Sequence, residues 1–146
     1  MENPYNGAAA YIRGNGANSG LRGTVTFLPH GENVLVTAQV EGLPKSESGF
    51  FALHIHEGDS CRGEGFPDTG GHYNPRNTPH PMHAGDLPPL LSCDGRAWMS
   101  VLTNRFQIRD ILGKTVVIHS GPDDFRTQPA GNSGEKIGCG RIYPSW

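Results

Sequence analysis

Nothing in these 146 residues approaches the run of roughly 18 apolar residues that a membrane helix needs, so a helical membrane span is excluded. Charge is equally undistinguished. Twelve Lys and Arg against fourteen Asp and Glu give a net charge of -2 with both signs interspersed, which leaves no basic groove for nucleic acid and no polybasic face for a lipid surface. The expected partner is a small molecule. Cysteine is scarce: Cys61, Cys93 and Cys139 show no CxxC or zinc-finger spacing and allow at most one disulfide with one thiol left over. The opening MENPYNGAAAYIRG has neither a basic leader nor an apolar one, so the chain as it stands is expected in the cytoplasm. A chain trimmed of its leader would instead be secreted or periplasmic.

Long runs of helix formers are missing too, whereas 21 glycines and 12 prolines are present. That balance disfavours a helical bundle and predicts an all-β fold of short strands and ordered loops in one domain, 1–146. The segments GAAAYIRG, LRGTVTFLP, 33–41, 50–56, RAWMSVL, NRFQIRD, KTVVIHS and KIGCGRIYP read as eight strands. Of these 33–41 alternates most regularly, with Val34, Val36, Ala38 and Val40 on one face. Two stretches, 57–94 and 121–134, run through Gly, Pro and Asp with no apolar period. A structureless loop as long as the first calls for a physical reason inside a small domain, and a bound metal would provide one.

The stretch FALHIHEGDSC places two histidines one residue apart inside an apolar run. On a strand, residues i and i+2 share a face with Cα atoms roughly 6.6 Å apart, which suits two ligands on one ion. Of the seven histidines only His30, in the PHGEN turn, lies away from the strand ends and long loops; His54, His56, His72, His80, His83 and His119 remain. Asp86 follows His83 by three residues. Three imidazoles with an aspartate form a plausible tetrahedral zinc set, and an all-imidazole set suits copper in a tetragonal field. No Cys and Met pair stands ready for a blue-copper site. Two four-coordinate ions need eight positions, whereas six histidines and one aspartate supply seven. One imidazole could serve both ions through its two nitrogens; a water in an open position balances the count equally well.

The segments HIHEGDSC, GGHYNP, HAGDLPPL, VVIHSGPDD and GNSGEKIGCG resemble the successive motifs of copper/zinc superoxide dismutases, and the resemblance extends from Ala8 to Ile142. It implies an eight-stranded Greek-key β-barrel or sandwich with two long functional loops. It implies copper on His54, His56, His72 and His119, zinc on His72, His80, His83 and Asp86, and His72 as the bridging imidazolate. Asp123 would join a copper ligand to a zinc ligand, His54 to His80, and Cys61 and Cys139 would form the intrasubunit disulfide. Cys93 is expected to stay free as a partly buried small hydrophobe, and Trp98 and Trp146 are expected to pack.

The activity so implied is disproportionation of superoxide to oxygen and hydrogen peroxide, with copper changing oxidation state and His72 carrying the proton for the departing peroxide. Lys136 stands where many members have an arginine beside the copper, which keeps the charge without the planar fork. The segment between His80 and His83 is also shorter than in better-known members. The family forms homodimers as well as monomers, so a homodimer is possible. Three rivals share these residues: a non-enzymatic copper or zinc carrier, disfavoured by Lys136 beside an open copper site; a copper-only dismutase, disfavoured by the retained Asp86, His80 and His83; and a pure interaction domain in which the ligands are vestigial.

Overall fold

The computed structural model describes residues 6–145, so the expected packing of Trp146 lies outside the described residues. Among the described residues nine strands run in chain order: β1 Gly7–Gly14, β2 Arg22–His30, β3 Asn33–Glu41, β4 Phe50–Phe51, β5 Leu53–His56, β6 Leu90–Leu91, β7 Ala97–Thr103, β8 Thr115–His119 and β9 Lys136–Ser145. One helical turn, α1, covers Ile108–Ile111. Seven strands form a curled half-barrel in the order β5-β8-β9-β1-β2-β3-β7, and β4 pairs with β6 in a small second sheet. The last strand lies beside the first, and the chain crosses between β7 and β8 from one edge of the sheet to near the other. The connectivity is therefore Greek-key-like.

Period-two burial drives this arrangement. Val34, Val36, Ala38 and Val40 of β3 are all 5% exposed or less, and they meet Ala8, Ala10 and Ile12 of β1, Val25 and Phe27 of β2, and Ile142 of β9 in one core. Outward positions hold polar residues, exposed rings and a few exposed leucines such as Leu28 and Leu102. Trp98 is 66% exposed on β7, contrary to the expected packing, because the alternation that buries Ala97 turns its neighbour outward.

Three further expectations change. The sequence reads as eight strands and the resemblance implies a barrel or sandwich of eight, but 50–56 breaks at Ala52 so that β4 and β5 join different sheets, and the short β6 lies inside the predicted loop. NRFQIRD is not a strand: Gln107 and Asp110 exchange side-chain and backbone hydrogen bonds in a capping box that starts α1. Its Ile108 and Ile111, three residues apart, are both buried, a helical spacing that the apolar count concealed. Cys93 is exposed, not partly buried. Among the described residues no helix is long and apolar enough to cross a membrane.

Candidate metal centre

The outer edge of β5 is paired by loop, not by another strand. Ile55 N donates to Gly85 O at 2.8 Å, Tyr73 N to Ile55 O at 2.8 Å, and Glu57 N to Gly71 O at 2.8 Å. Bridge pairing then sets His72 opposite His56 and Asp86 opposite His54. On the inner edge β5 pairs with β8, whose last residue is His119, and His119 pairs in turn with Lys136 of β9 across a register shift. The first loop is thus pinned along β5 at the positions where its ligands must face the strand histidines. Cys61 bonds to Cys139, tying that loop to β9 across 78 residues.

Two groups of ligand atoms result, each within 4.8 Å of one another: His54, His56, His72 and His119, and beside it His54, His72, His80 and Asp86. His83 touches the second group, its Nδ1 lying 3.2 Å from both His72 Nδ1 and Asp86 Oδ2. His54 and His72 stack with ring centroids 3.9 Å apart. All these rings are buried or nearly so, with His54 at 0%, His56 at 2% and His119 at 3% exposure.

The hydrogen bonds around the rings decide what the inward nitrogens can be. His56 Nδ1 faces Gly70 O at 2.8 Å and His119 Nδ1 faces Gly134 O at 3.4 Å. A carbonyl only accepts, so each Nδ1 carries the hydrogen and each Nε2 is left with a lone pair. Burial, the dominant cause, holds both rings neutral, pushing His56 down to about 2 and His119 down to about 3. Yet the two Nε2 atoms stand 3.2 Å apart. Two lone pairs at that distance repel unless a cation lies between them.

The same logic applies around Asp123. Its Oδ2 accepts from His54 Nε2 at 2.9 Å and its Oδ1 from His80 Nε2 at 2.7 Å, with Phe125 N also donating to Oδ1. Burial alone would raise this carboxyl, but those three donors outweigh it and hold the group well below the usual carboxylate range. With Nε2 committed, His54 Nδ1 and His80 Nδ1 are buried without a hydrogen-bond partner, as is His72 Nε2. His80 Nδ1 sits 3.0 Å from Asp86 Oδ2, acceptor against acceptor. Orphaned nitrogens converging on two points, one ringed by imidazoles and the other by imidazoles with a carboxylate, are the donor sets that copper and zinc select. The residues fit both metals.

Lys136 reaches back over the first loop: its Nζ donates to Thr69 Oγ1 at 2.6 Å and to Gly70 O at 3.0 Å, the same carbonyl that fixes His56. Burial lowers its pKa. Gly131 went unnoticed in the sequence. At φ +71 it passes so close that a Cβ would lie 2.0 Å from Asp123 Oδ1 and 2.7 Å from His80 Nε2. Only glycine combines that backbone with that clearance. Arg105 and Gln128 were missed as well, since single polar residues in loops carry no pattern.

The family model described as copper/zinc superoxide dismutase matches residues 21–142. "Superoxide dismutase [Cu-Zn] 2" of Aquifex aeolicus is 35% identical over 135 residues, covering 82% of this chain and 78% of the relative. The Deinococcus radiodurans "Superoxide dismutase [Cu-Zn]" is 36% identical over 141 residues, covering 82% and 76%. That of Caulobacter vibrioides is 32% identical over 153 residues, covering 92% and 84%.

Proposed function

The chain belongs to the copper/zinc superoxide dismutase family, and on that premise we propose that it disproportionates superoxide to oxygen and hydrogen peroxide at a copper site joined to a zinc site through His72. The observation that carries the reading is the pair of adjacent ligand groups sharing His72, with lone pairs converging on each.

In this reading His54 Nδ1, His56 Nε2, His72 Nε2 and His119 Nε2 would hold copper, and His72 Nδ1, His80 Nδ1, His83 Nδ1 and Asp86 would hold zinc. Copper bound there would supply a one-electron couple for oxidation of one superoxide and reduction of the next, and zinc would add fixed positive charge and hold the loop. Around them the chain's own groups divide the work. Asp123 sets the tilt of His54 and His80 by occupying the far nitrogen of each, and Gly70 and Gly134 do the same for His56 and His119. His72 Nε2, buried and without a hydrogen-bond partner, is the atom that would take up a proton from solvent when it is not bound to metal and pass it to the departing peroxide. Lys136 brings a positive charge to the anion's approach, anchored by Thr69 and Gly70.

The proposal includes one domain, 1–146. The Cys61–Cys139 bond favours an oxidising compartment, hence a secreted or periplasmic chain over a cytoplasmic one. A homodimer is supported by Tyr11, Trp98 and Leu102, exposed on the outer face, and sedimentation equilibrium reads it.

Elemental analysis of protein purified without chelators tests the metal reading: about one copper and one zinc per chain are expected. The copper should give the tetragonal or rhombic paramagnetic resonance of four nitrogens. Zinc near zero after reconstitution would remove the bridged site in favour of a copper-only enzyme.

A further inference from the structure

The zinc side of the centre rests on a segment with only Pro81 and Met82 between His80 and His83, in a loop with little regular structure to fix it. Two side chains from elsewhere grip its backbone. The Gln128 amide, from the second loop, closes a two-point pair with the His80 peptide unit: His80 N donates to Gln128 Oε1 at 2.8 Å and Gln128 Nε2 donates to His80 O at 2.7 Å. Arg105, in the connection between β7 and α1, donates from Nη1 to Pro81 O at 2.8 Å and to His83 O at 3.1 Å. Its Nη2 lies 4.0 Å from Met82 Sδ.

Each grip acts on a ligand residue at the point its ring grip leaves free. Asp123 fixes the His80 ring at Nε2, but a ring can still swing about Cα if its peptide units turn; the Gln128 pair holds both polar groups of that residue. His83 has its N–H on Asp86 Oδ2 at 3.0 Å and its carbonyl on Arg105. The backbones of both histidines are therefore fixed by side chains anchored outside the segment. Shortness makes this necessary: two intervening residues leave almost no slack, so a small turn of either peptide unit moves both rings.

We propose that Arg105 and Gln128 are positioning residues for the zinc ligands, clamping the short segment so that His80 and His83 present Nδ1 correctly before metal arrives. The inference rests on the zinc reading above and extends it to residues that touch no metal. Removing a clamp should loosen zinc while leaving the copper ligands His54, His56 and His119, carried on β5 and β8, in place.

The test measures zinc release from the holoenzyme to the coloured chelator 4-(2-pyridylazo)resorcinol, and the visible spectrum of cobalt(II) placed in the zinc site. Arg105→Gln and Gln128→Glu should each speed zinc release about 10-fold, within the range by which lost outer contacts weaken metal sites. Both should alter the cobalt bands, with Arg105→Lys, which keeps a donor, lying between parent and Arg105→Gln. Gln128→Glu is nearly isosteric, so it keeps the question answerable should an Arg105 variant fail to fold. Parental release rates and cobalt bands in both variants overturn the proposal, as does a lowered unfolding midpoint with zinc release unchanged. A parent that takes up neither zinc nor cobalt would bring down the zinc reading itself, and is told apart because the parent fails with the variants.

Discussion

The β9-β1-β2-β3-β7 portion of the sheet and the loop-built end around the histidines are held together by different physics. In the first, paired strands keep unbroken register over as many as nine residues, from Arg22 opposite Glu41 to His30 opposite Asn33, and alternate inward side chains such as Ala8, Ala10 and Ile12, Val25 and Phe27, and Val34, Val36, Ala38 and Val40 are apolar and buried. In the second, the chain from 57 to 89 has one short 3-10 turn, Pro67–Thr69, and its order comes from hydrogen bonds to single side chains and to the edge of β5. A core of this kind tolerates substitutions that conserve volume. A polar network in a buried site does not, since one lost partner leaves another group unsatisfied. The difference teaches where each kind of change should be felt: stability on the sheet side, metals and turnover on the loop side.

The sharpest way to break that division is His54→Ala. It removes one imidazole of the copper set and frees Asp123 Oδ2, so activity should fall to background while far-ultraviolet circular dichroism keeps its β signature. Parental activity would take copper out of the proposed reaction. Next is the covalent tie between the two regions. Cys61→Ser opens a link spanning 78 residues and should cost about 4 kcal/mol by the loop-entropy argument, read by urea unfolding of the metal-free chains. Ile12→Ala, wholly inside the sheet core, should cost about 3 kcal/mol with metal content untouched. If Ile12→Ala empties the metal sites, the two regions are not separable as described.

A fourth effect is smaller and depends on pH. His56 and His119 fold with values of about 2 and about 3, well under the 6.5 they have when exposed. As pH falls below about 6.5 the unfolded chain takes up protons that the folded metal-free chain refuses, so stability is present above that pH and drains away down to about 3. At pH 5 the loss should be about 2 kcal/mol for each ring. Unfolding midpoints of metal-free protein between pH 7 and pH 4 check this. A flat profile would show that the site opens to water without its metals.

How far these two regions were legible in the sequence follows from the same contrast. Alternation in 33–41 announced both a strand and its buried face, because burial repeats with the pleat. The break at Ala52 and the α1 turn escaped, because a two-residue strand and a four-residue helix are shorter than the window over which a period can be seen. At the site, His-x-His on β5 followed from strand geometry and the gathering of six histidines with Asp86 from position and ligand chemistry, whereas which residues belong to each metal, and His72 as the shared one, was implied only by the family resemblance. Gly131, Gln128 and Arg105 act through one carbonyl, one amide or one missing Cβ, and nothing in composition or spacing marks them.

The least of the expected effects concerns Lys136, which belongs to both regions: its backbone begins β9, opposite His119, and its ammonium is bound to the first loop at Thr69 and Gly70. Superoxide is an anion and the chain as a whole carries -2, so any attraction must be local. A field of this kind is screened over about 10 Å at 0.1 M ionic strength, so the second-order rate should fall as salt rises. Lys136→Glu should slow the reaction several-fold and flatten or reverse that trend, while Lys136→Arg keeps both because the charge remains and the planar fork can still reach the loop oxygens. The comparison requires equal copper content, and it has a second reading built in. If the lysine served only as a strap for the first loop, a neutral Lys136→Gln, which can still donate to Gly70 O, would match the parent in rate and in salt slope. A steering charge predicts instead that Lys136→Gln falls between parent and Lys136→Glu in both. Should Lys136→Glu leave rate and slope unchanged, the anion is guided by other cations, with Arg126 and Arg141 the next to replace.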